Sequence, residues 1–360
     1  MSKGKVVAIV VISLLITAGV AFGLVFLYTY GTVKQSYEFY YKPASVQPSE
    51  KVSFNSDIGN FEIKYNSTPT DNVVTINVDA RVSGAFVAGS NFLDFFKSPK
   101  FLNSTSDPVK KFTFETRPKP WLFILSSSRI QISVILRTDI EYNISTVVTT
   151  GNININIPHE SKVKDLSLTS TTGTINLSAK NSNFTDGIQI SATTGYIGIN
   201  IDDSNILKGL KATATTGDVN VNLDKCYLDE KIDLLTTTGT LTLKVYNSSY
   251  SPSHLWDLDA TTGNIWVTIY QNAVMNSNVT GSITTTTGII GLTYFDYSNQ
   301  VGASFFGTVT TGNYNRVNNG GFTSTSFNPF QSNDYNSANS TYSLNLTTTT
   351  GNINVSGNSS

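Results

Sequence analysis

Between residues 144 and 355 apolar and polar side chains alternate, and the alternation restarts at each Thr-Thr-Gly. The phrase occurs nine times, with its glycines at Gly151, Gly173, Gly195, Gly217, Gly239, Gly263, Gly288, Gly312 and Gly351. They are spaced 22, 22, 22, 22, 24, 25, 24 and 39 residues apart. Around Gly217, Leu210 and Ala212 precede the glycine at odd offsets, while Val219, Val221 and Leu223 follow it at even ones. Ile188, Ile190, Ile197, Ile199 and Ile201 repeat those offsets around Gly195. A period of two marks strands with one buried face. The change of parity makes Thr-Thr-Gly a corner, where glycine accepts a positive φ without steric cost. By the same parity the Thr next to each glycine points inward and the other points outward. A fixed spacing of this length predicts an all-β fold, a parallel β-helix or β-solenoid of roughly 22 residues per rung and right-handed coil. Stacked corners would let threonine hydroxyls form ladders from rung to rung. A water-ordering Thr-x-Thr array is not expected, because Val148, Ser170, Ala192 and Ala214 interrupt it.

Ahead of the repeat the pattern divides the chain further. Val6 to Leu27 is an uncharged, mainly apolar run, preceded by Lys3 and Lys5 and followed by Tyr28 and Tyr30. That length suffices for a membrane-spanning helix, and the flanking lysines place the N-terminus in the cytoplasm. Residues 1–30 are therefore expected to be an uncleaved transmembrane signal-anchor, with the bulk of the chain extracellular at the plasma membrane. A cleaved signal near Ala21 and a prepilin-type signal at Lys3-Gly4 are the alternatives. Residues 31–49 read as a stalk, with Pro43 and Pro48 and weak periodicity. Residues 50–140 read as a β-rich capping region with degenerate rungs, the first around Asp57-Ile58-Gly59-Asn60, or as a separate small β domain. Phe86 to Phe101 is expected to be a short helix or a loop over one end. The repeat domain spans 141–356 with an insertion at 315–340 that holds Phe322, Phe327 and Phe330. That insertion either folds over the side of the coil or offers its aromatics to a partner. The last rung, at Gly351, has no evident cover, so its edge is open to self-association.

The phrases Thr-Thr-Gly-Asn-Ile-Asn-Ile at Gly151, Thr-Thr-Gly-Asp-Val-Asn-Val at Gly217 and Thr-Thr-Gly-Asn-Ile-Trp-Val at Gly263 resemble a large bacterial and archaeal adhesin family of unknown biochemical function. The resemblance covers roughly residues 140–356 and, more weakly, 50–140. It implies a β-helical surface domain, often membrane-anchored, and carries over no catalytic residues. The Asn-, Ser-, Thr- and Tyr-rich composition also resembles surface proteins of thermoacidophilic archaea.

Composition narrows the function. Charged residues make up 14% of the chain and the net charge is −1, so nucleic acid is not an expected partner. Eleven Asn-x-Ser/Thr sequons, at Asn66, Asn103, Asn143, Asn176, Asn183, Asn247, Asn278, Asn339, Asn345, Asn354 and Asn358, fall on outward positions or in loops, where glycosylation is sterically allowed. His159 and His254 have no His or Cys companion and read as surface or loop residues, so neither a metal nor a cofactor is expected. Cys226 is alone and reads as a small buried residue. The carboxylates that could serve a glycan-processing β-helix enzyme are Asp202, Asp203, Asp224, Asp229, Glu230, Asp257 and Asp259. No arginine or further acid and base recurs beside them, so catalysis is not expected. The sequence thus predicts a membrane-anchored surface protein, structural or adhesive, whose rod meets cell-surface proteins or glycans. A glycan-processing enzyme and a pilin-like filament subunit are the alternative readings.

Overall fold

The computed structural model describes residues 3–68, 71–85, 87–104, 106, 108–117, 126–252, 254–296, 300–322 and 328–359. The chain is mostly β, with long parallel-stranded sheets and one long N-terminal helix, α1 (Lys3–Thr29). Within α1 the window Val11–Thr29 is long and apolar enough to cross a membrane, and none of it is buried against the rest of the protein.

The Thr-Thr-Gly repeats build two sheets. Strands that follow the glycines make sheet A, and strands that precede them make sheet B. In sheet A, Ile175–Lys180 pairs in parallel with Ile197–Asp202, which pairs with Val219–Asp224, then Leu241–Tyr246 and Ile265–Gln271. In sheet B, Leu166 aligns with Ile188, Leu210 and Ile232, each one repeat further along the chain. A third, short face stacks Asn183–Phe184, Asn205–Ile206, Tyr227–Leu228 and Ser249–Tyr250. Inward positions carry Ile, Val, Leu and Ala. They form one continuous buried cluster from Tyr41 to Val355, and that removal of apolar surface from water is the main stabilising term.

The corner differs from expectation in one respect. Both threonines of every Thr-Thr-Gly are exposed, including the one next to the glycine. The register steps from Ser170↔Ala192 to Thr172↔Thr194, bypassing one residue, so the alternation breaks before the corner and not at it. The last inward residue is three before the glycine. Where it bears a hydroxyl, it donates to the carbonyl of the preceding corner glycine: Thr236 to Gly217 and Thr285 to Gly263, both at 3.0 Å. The residue after the glycine serves the following corner. Asn152 Oδ1 accepts from the Thr174 amide at 2.8 Å, and Asp218 Oδ1 from the Thr240 amide at 2.7 Å.

At the N-terminal end, the stretch expected to be a stalk contains an eleven-residue strand, Gly31–Tyr41, antiparallel to Val74–Gly84. Its alternation, with Val33, Tyr37 and Phe39 packed against the core, is hidden in the sequence by flanking tyrosines. The segment around Gly59 joins the corner column directly beneath Gly151, with φ of 129°. Lys110–Phe114 and Ser126–Arg137 lie below it, in parallel with Ser49–Ile58 and Asn60–Asn66. Antiparallel strands Val74–Gly84 and, outside it, Gly31–Tyr41 then close sheet A, and Lys100–Leu102 closes sheet B. The short helix α2 (Phe92–Phe95) buries Phe92 and Phe95 against Phe96 and Phe114, while Phe86 lies outside the described residues.

The other end also departs from sequence order. Ser340–Thr350 and Ile353–Ser359 lie between the Gly288 repeat and the Gly312 repeat, pairing in parallel with both. The outermost repeat is therefore the one at Gly312, and the expected open edge at Gly351 is internal. The 315–340 insertion begins within the strand Tyr314–Asn318. It returns through Phe330–Gln331, antiparallel to the outermost strand of sheet B. Phe322 and Phe330 are buried and stacked 4.7 Å apart over that end, next to Phe305. Phe327 lies outside the described residues.

Candidate functional site

The outer face of sheet A presents the side chains three and five residues after each corner glycine. Because the strands pair in register, equivalent residues form rows along the stack. One row reads Asn154, Asn176, Gly198, Asn220 and the next Asn156, Ser178, Asn200, Asn222. Amides within a row pair head to tail: Asn176 Nδ2 donates to Asn154 Oδ1 at 2.8 Å, and Asn222 Nδ2 to Asn200 Oδ1 at 2.7 Å. Each such bond uses one donor and one acceptor of groups that carry more of both.

A shallow groove of about 480 Å³ runs over this face. Gly198 leaves a gap in the asparagine row, and the Tyr196 ring lies across it, 2.8 Å from where a β-carbon would stand. Tyr196 stays 36% exposed. The only charged side chains that line the groove, Glu62 and Lys64, pair with each other at 2.7 Å. Three strands further along, the Trp266 ring covers Gly291 in the same way, 42% exposed, beside a second groove lined by Asn315 and Asn354.

Sheet B carries a cluster of paired charges. Asp233 lies between Lys211 (3.0 Å) and Lys231 (3.2 Å), and Lys231 also reaches Asp257 at 3.8 Å. Burial pushes the Asp233 carboxyl up, but hydrogen bonds from the two lysines outweigh it and its pKa falls below the usual value. Asp259 is shifted up, first by burial and then by the Asp257 charge on the same strand. The structure does not gather the candidate carboxylates into one site. Asp202 and Asp224 align on neighbouring sheet A strands, with Lys180 bound to Asp202 at 3.0 Å. Asp203 occupies a left-handed turn position (φ 49°), as does Glu230 (φ 59°), whose amide donates to Asp229. Among the described residues no three His, Cys, Asp or Glu side chains assemble into a metal-ligating group.

His159 is exposed, with Asn181 Nδ2 2.6 Å from its Nε2. His254 is not the surface residue expected. It is fully buried, 4.7 Å from the Tyr250 ring, and neither ring nitrogen has a hydrogen-bond partner among the described residues. It opens the strand His254–Thr262, and its even separation from inward Trp256 turns it to the core. Burial lowers its pKa to about 4. Cys226 occupies a column otherwise held by buried serines: Ser161, Ser182, Ser204 and Ser248. Ser182 N donates to Ser204 Oγ at 3.0 Å, and Cys226 N to Ser248 Oγ at 3.1 Å. Burial pushes the thiol pKa up to about 12.

All eleven sequon asparagines are exposed or half-buried. Asn176 lines the first groove and Asn354 the second. Sequence reasoning placed these asparagines outward but missed the grooves, whose signal was the pairing of an exposed aromatic with a glycine in an asparagine row.

No family model matches the chain, and no curated protein does. Among solved structures it is similar to a "putative cell adhesion protein" from Clostridium sporogenes, at 11% identity and a TM-score of 0.21, covering 90% of this chain and 99% of that one.

Proposed function

We propose that this chain is a membrane-anchored extracellular β-solenoid, a structural and adhesive surface protein without enzymatic activity, that contacts cell-surface proteins or glycans. In this reading α1 holds the chain in the plasma membrane with the N-terminus cytoplasmic, and the stacked repeats stand outside as a polar rod bearing glycans on its sequons. The observation that carries it is the rows of outward amides, broken at Gly198 and Ser178, and of exposed corner threonines, repeated in register from strand to strand. Weak contacts repeated on one rigid support combine into firm attachment through effective concentration. The corner column at Gly59, Gly151, Gly173 and onward supports the solenoid reading. The apolar window Val11–Thr29, none of it buried in the protein, supports the anchor.

The test is a deletion strain scored for surface attachment and cell aggregation, with protease applied to intact cells of the parent. The reading predicts loss of attachment and digestion of the chain from outside. Unchanged attachment and aggregation would overturn the adhesive role, and protection from protease would overturn the orientation.

A further inference from the structure

We propose that the outer face of sheet A is a binding site for a linear, neutral oligosaccharide lying along the stack from Tyr196 to Trp266. This deepens the adhesive reading and rests on it. The chemistry follows from what the face offers. A sugar ring has an apolar C–H face and a rim of hydroxyls, each both donor and acceptor. Tyr196 and Trp266 offer flat, exposed rings, each held over a glycine so that one face is fixed and the other is free. Two-χ aromatics of this kind supply contact area at small entropic cost. The flanking amides match hydroxyls in donating and accepting alike, and after pairing with each other they keep a second N–H and lone pairs to give.

Charge decides between ligand classes. Among the described residues the first groove has no unpaired charged side chain, since Glu62 and Lys64 neutralise each other, and the second groove has none. Between the grooves one exposed lysine, Lys244, stands in register with Asn222 and Asn200, a single cation, whereas sheet B, with its lysine and aspartate rows, is the face an anionic polymer would use. Geometry decides the shape of the ligand. Tyr196 and Trp266 lie on strands three spacings apart, roughly 14 Å at the usual inter-strand distance. Polar groups recur along that path at each strand, which suits a polymer of repeating units.

The site also makes a demand on the protein's own modification. Asn176 and Asn354 belong to sequons and line the two grooves, so a glycan on either would occupy the site. The proposal requires both to be unmodified, while sequons away from this face, such as Asn278 and Asn339, are free to carry sugar.

The experiment uses the full chain in a detergent without a sugar headgroup, titrated with neutral hexaoses of glucose, mannose and N-acetylglucosamine and with one polyanionic saccharide. Trp266 fluorescence and calorimetry report binding. The expected result is binding of at least one neutral hexaose, changed by less than about twofold from about 50 to about 500 mM salt because the ligand carries no charge to pair with Lys244. Tyr196→Ala and Trp266→Ala should each weaken it by about tenfold or more, the loss of one stacking contact. Tyr196→Phe, which keeps the ring, should stay within about twofold, and Asp233→Asn on sheet B should have no effect. Four results would overturn the proposal: no neutral ligand bound, binding insensitive to both alanine variants, preference for the polyanion, or peptide mapping that finds Asn176 or Asn354 glycosylated. If the deletion strain loses attachment but the two alanine variants restore it fully, the adhesive role stands and this site falls. Normal attachment by the deletion strain sinks the adhesive role even where the titration succeeds.

Discussion

Gly217 stands so close to the carbonyl oxygen of Gly195 that a β-carbon on it would fall well inside van der Waals contact with that atom. Its φ is +139°, and the same approach recurs at every corner from Gly151, against Gly59 O, to Gly312, against Gly351 O. Gly217→Ala therefore meets backbone on one side and a forbidden dihedral on the other. The expected cost is more than about 4 kcal/mol, the range reserved for structural breaks. Gly89→Ala is the control: its φ is +76° but nothing lies near its missing β-carbon, so only the dihedral costs, about 1–2 kcal/mol. Thermal melts followed by circular dichroism separate the two.

Thr236 and Thr237 are adjacent and chemically identical, yet only Thr236 is buried, donating to Gly217 O at 3.0 Å. Thr236→Val keeps the shape and deletes that bond, for an expected loss of about 1 kcal/mol. Thr237→Val, on the exposed corner, should stay within about 0.5 kcal/mol. Equal effects would refute the inward assignment of the position three before the glycine.

His254 makes stability depend on pH. Its folded pKa is lowered to about 4 by burial, below the ordinary 6.5 of the unfolded chain. Between those values the unfolded state binds the extra proton, so stability falls as pH drops from about 6.5 to about 4 and falls no further below that. The loss is at most about 3 kcal/mol. His254→Phe should flatten this part of the profile, measured by denaturant midpoints across the window. An unaltered slope would assign the acid sensitivity to the carboxylates.

Cys226 behaves as a serine of the interior column. Its sulfur faces the Asp224 carbonyl at 3.3 Å, as Ser204 Oγ faces Asp202 O at 2.7 Å. Cys226→Ser is expected to change stability by less than about 1.5 kcal/mol, because the buried hydroxyl would donate to Asp224 O as Ser204 does to Asp202 O. Buried and with its thiol pKa raised to about 12, Cys226 should resist alkylation at pH 8 until the protein unfolds. Fast labelling of the native chain would contradict the burial.

Much of the architecture can be read from spacing alone. Ile197, Ile199 and Ile201 announce their face by period two, and the intervals of 22 announce which residues become neighbours. Local irregularity is what the periodic reading missed. The bypassed threonine at each corner shifts parity without changing the count. The strand at Gly31–Tyr41 mixes inward Tyr37 and Phe39 with outward Tyr40, and tyrosine tolerates either side. His254 was misplaced because its polarity suggested solvent where its parity with Trp256 did not. The groove escaped notice because Gly198 and Gly291 look like lapses in a pattern, and their meaning depends on rings lying two residues or one strand away.

The placement of Gly351 between Gly288 and Gly312 separates the order of synthesis from the order of assembly. Residues 301–318 leave the ribosome with no finished surface to add to, since the segment they must dock on is translated after them. Until 340–359 slides into place, Phe305 has no floor and the growing structure ends at an unfinished tier. The insertion of 340–359 secures two tiers at once, and this end of the molecule is built as a clasp.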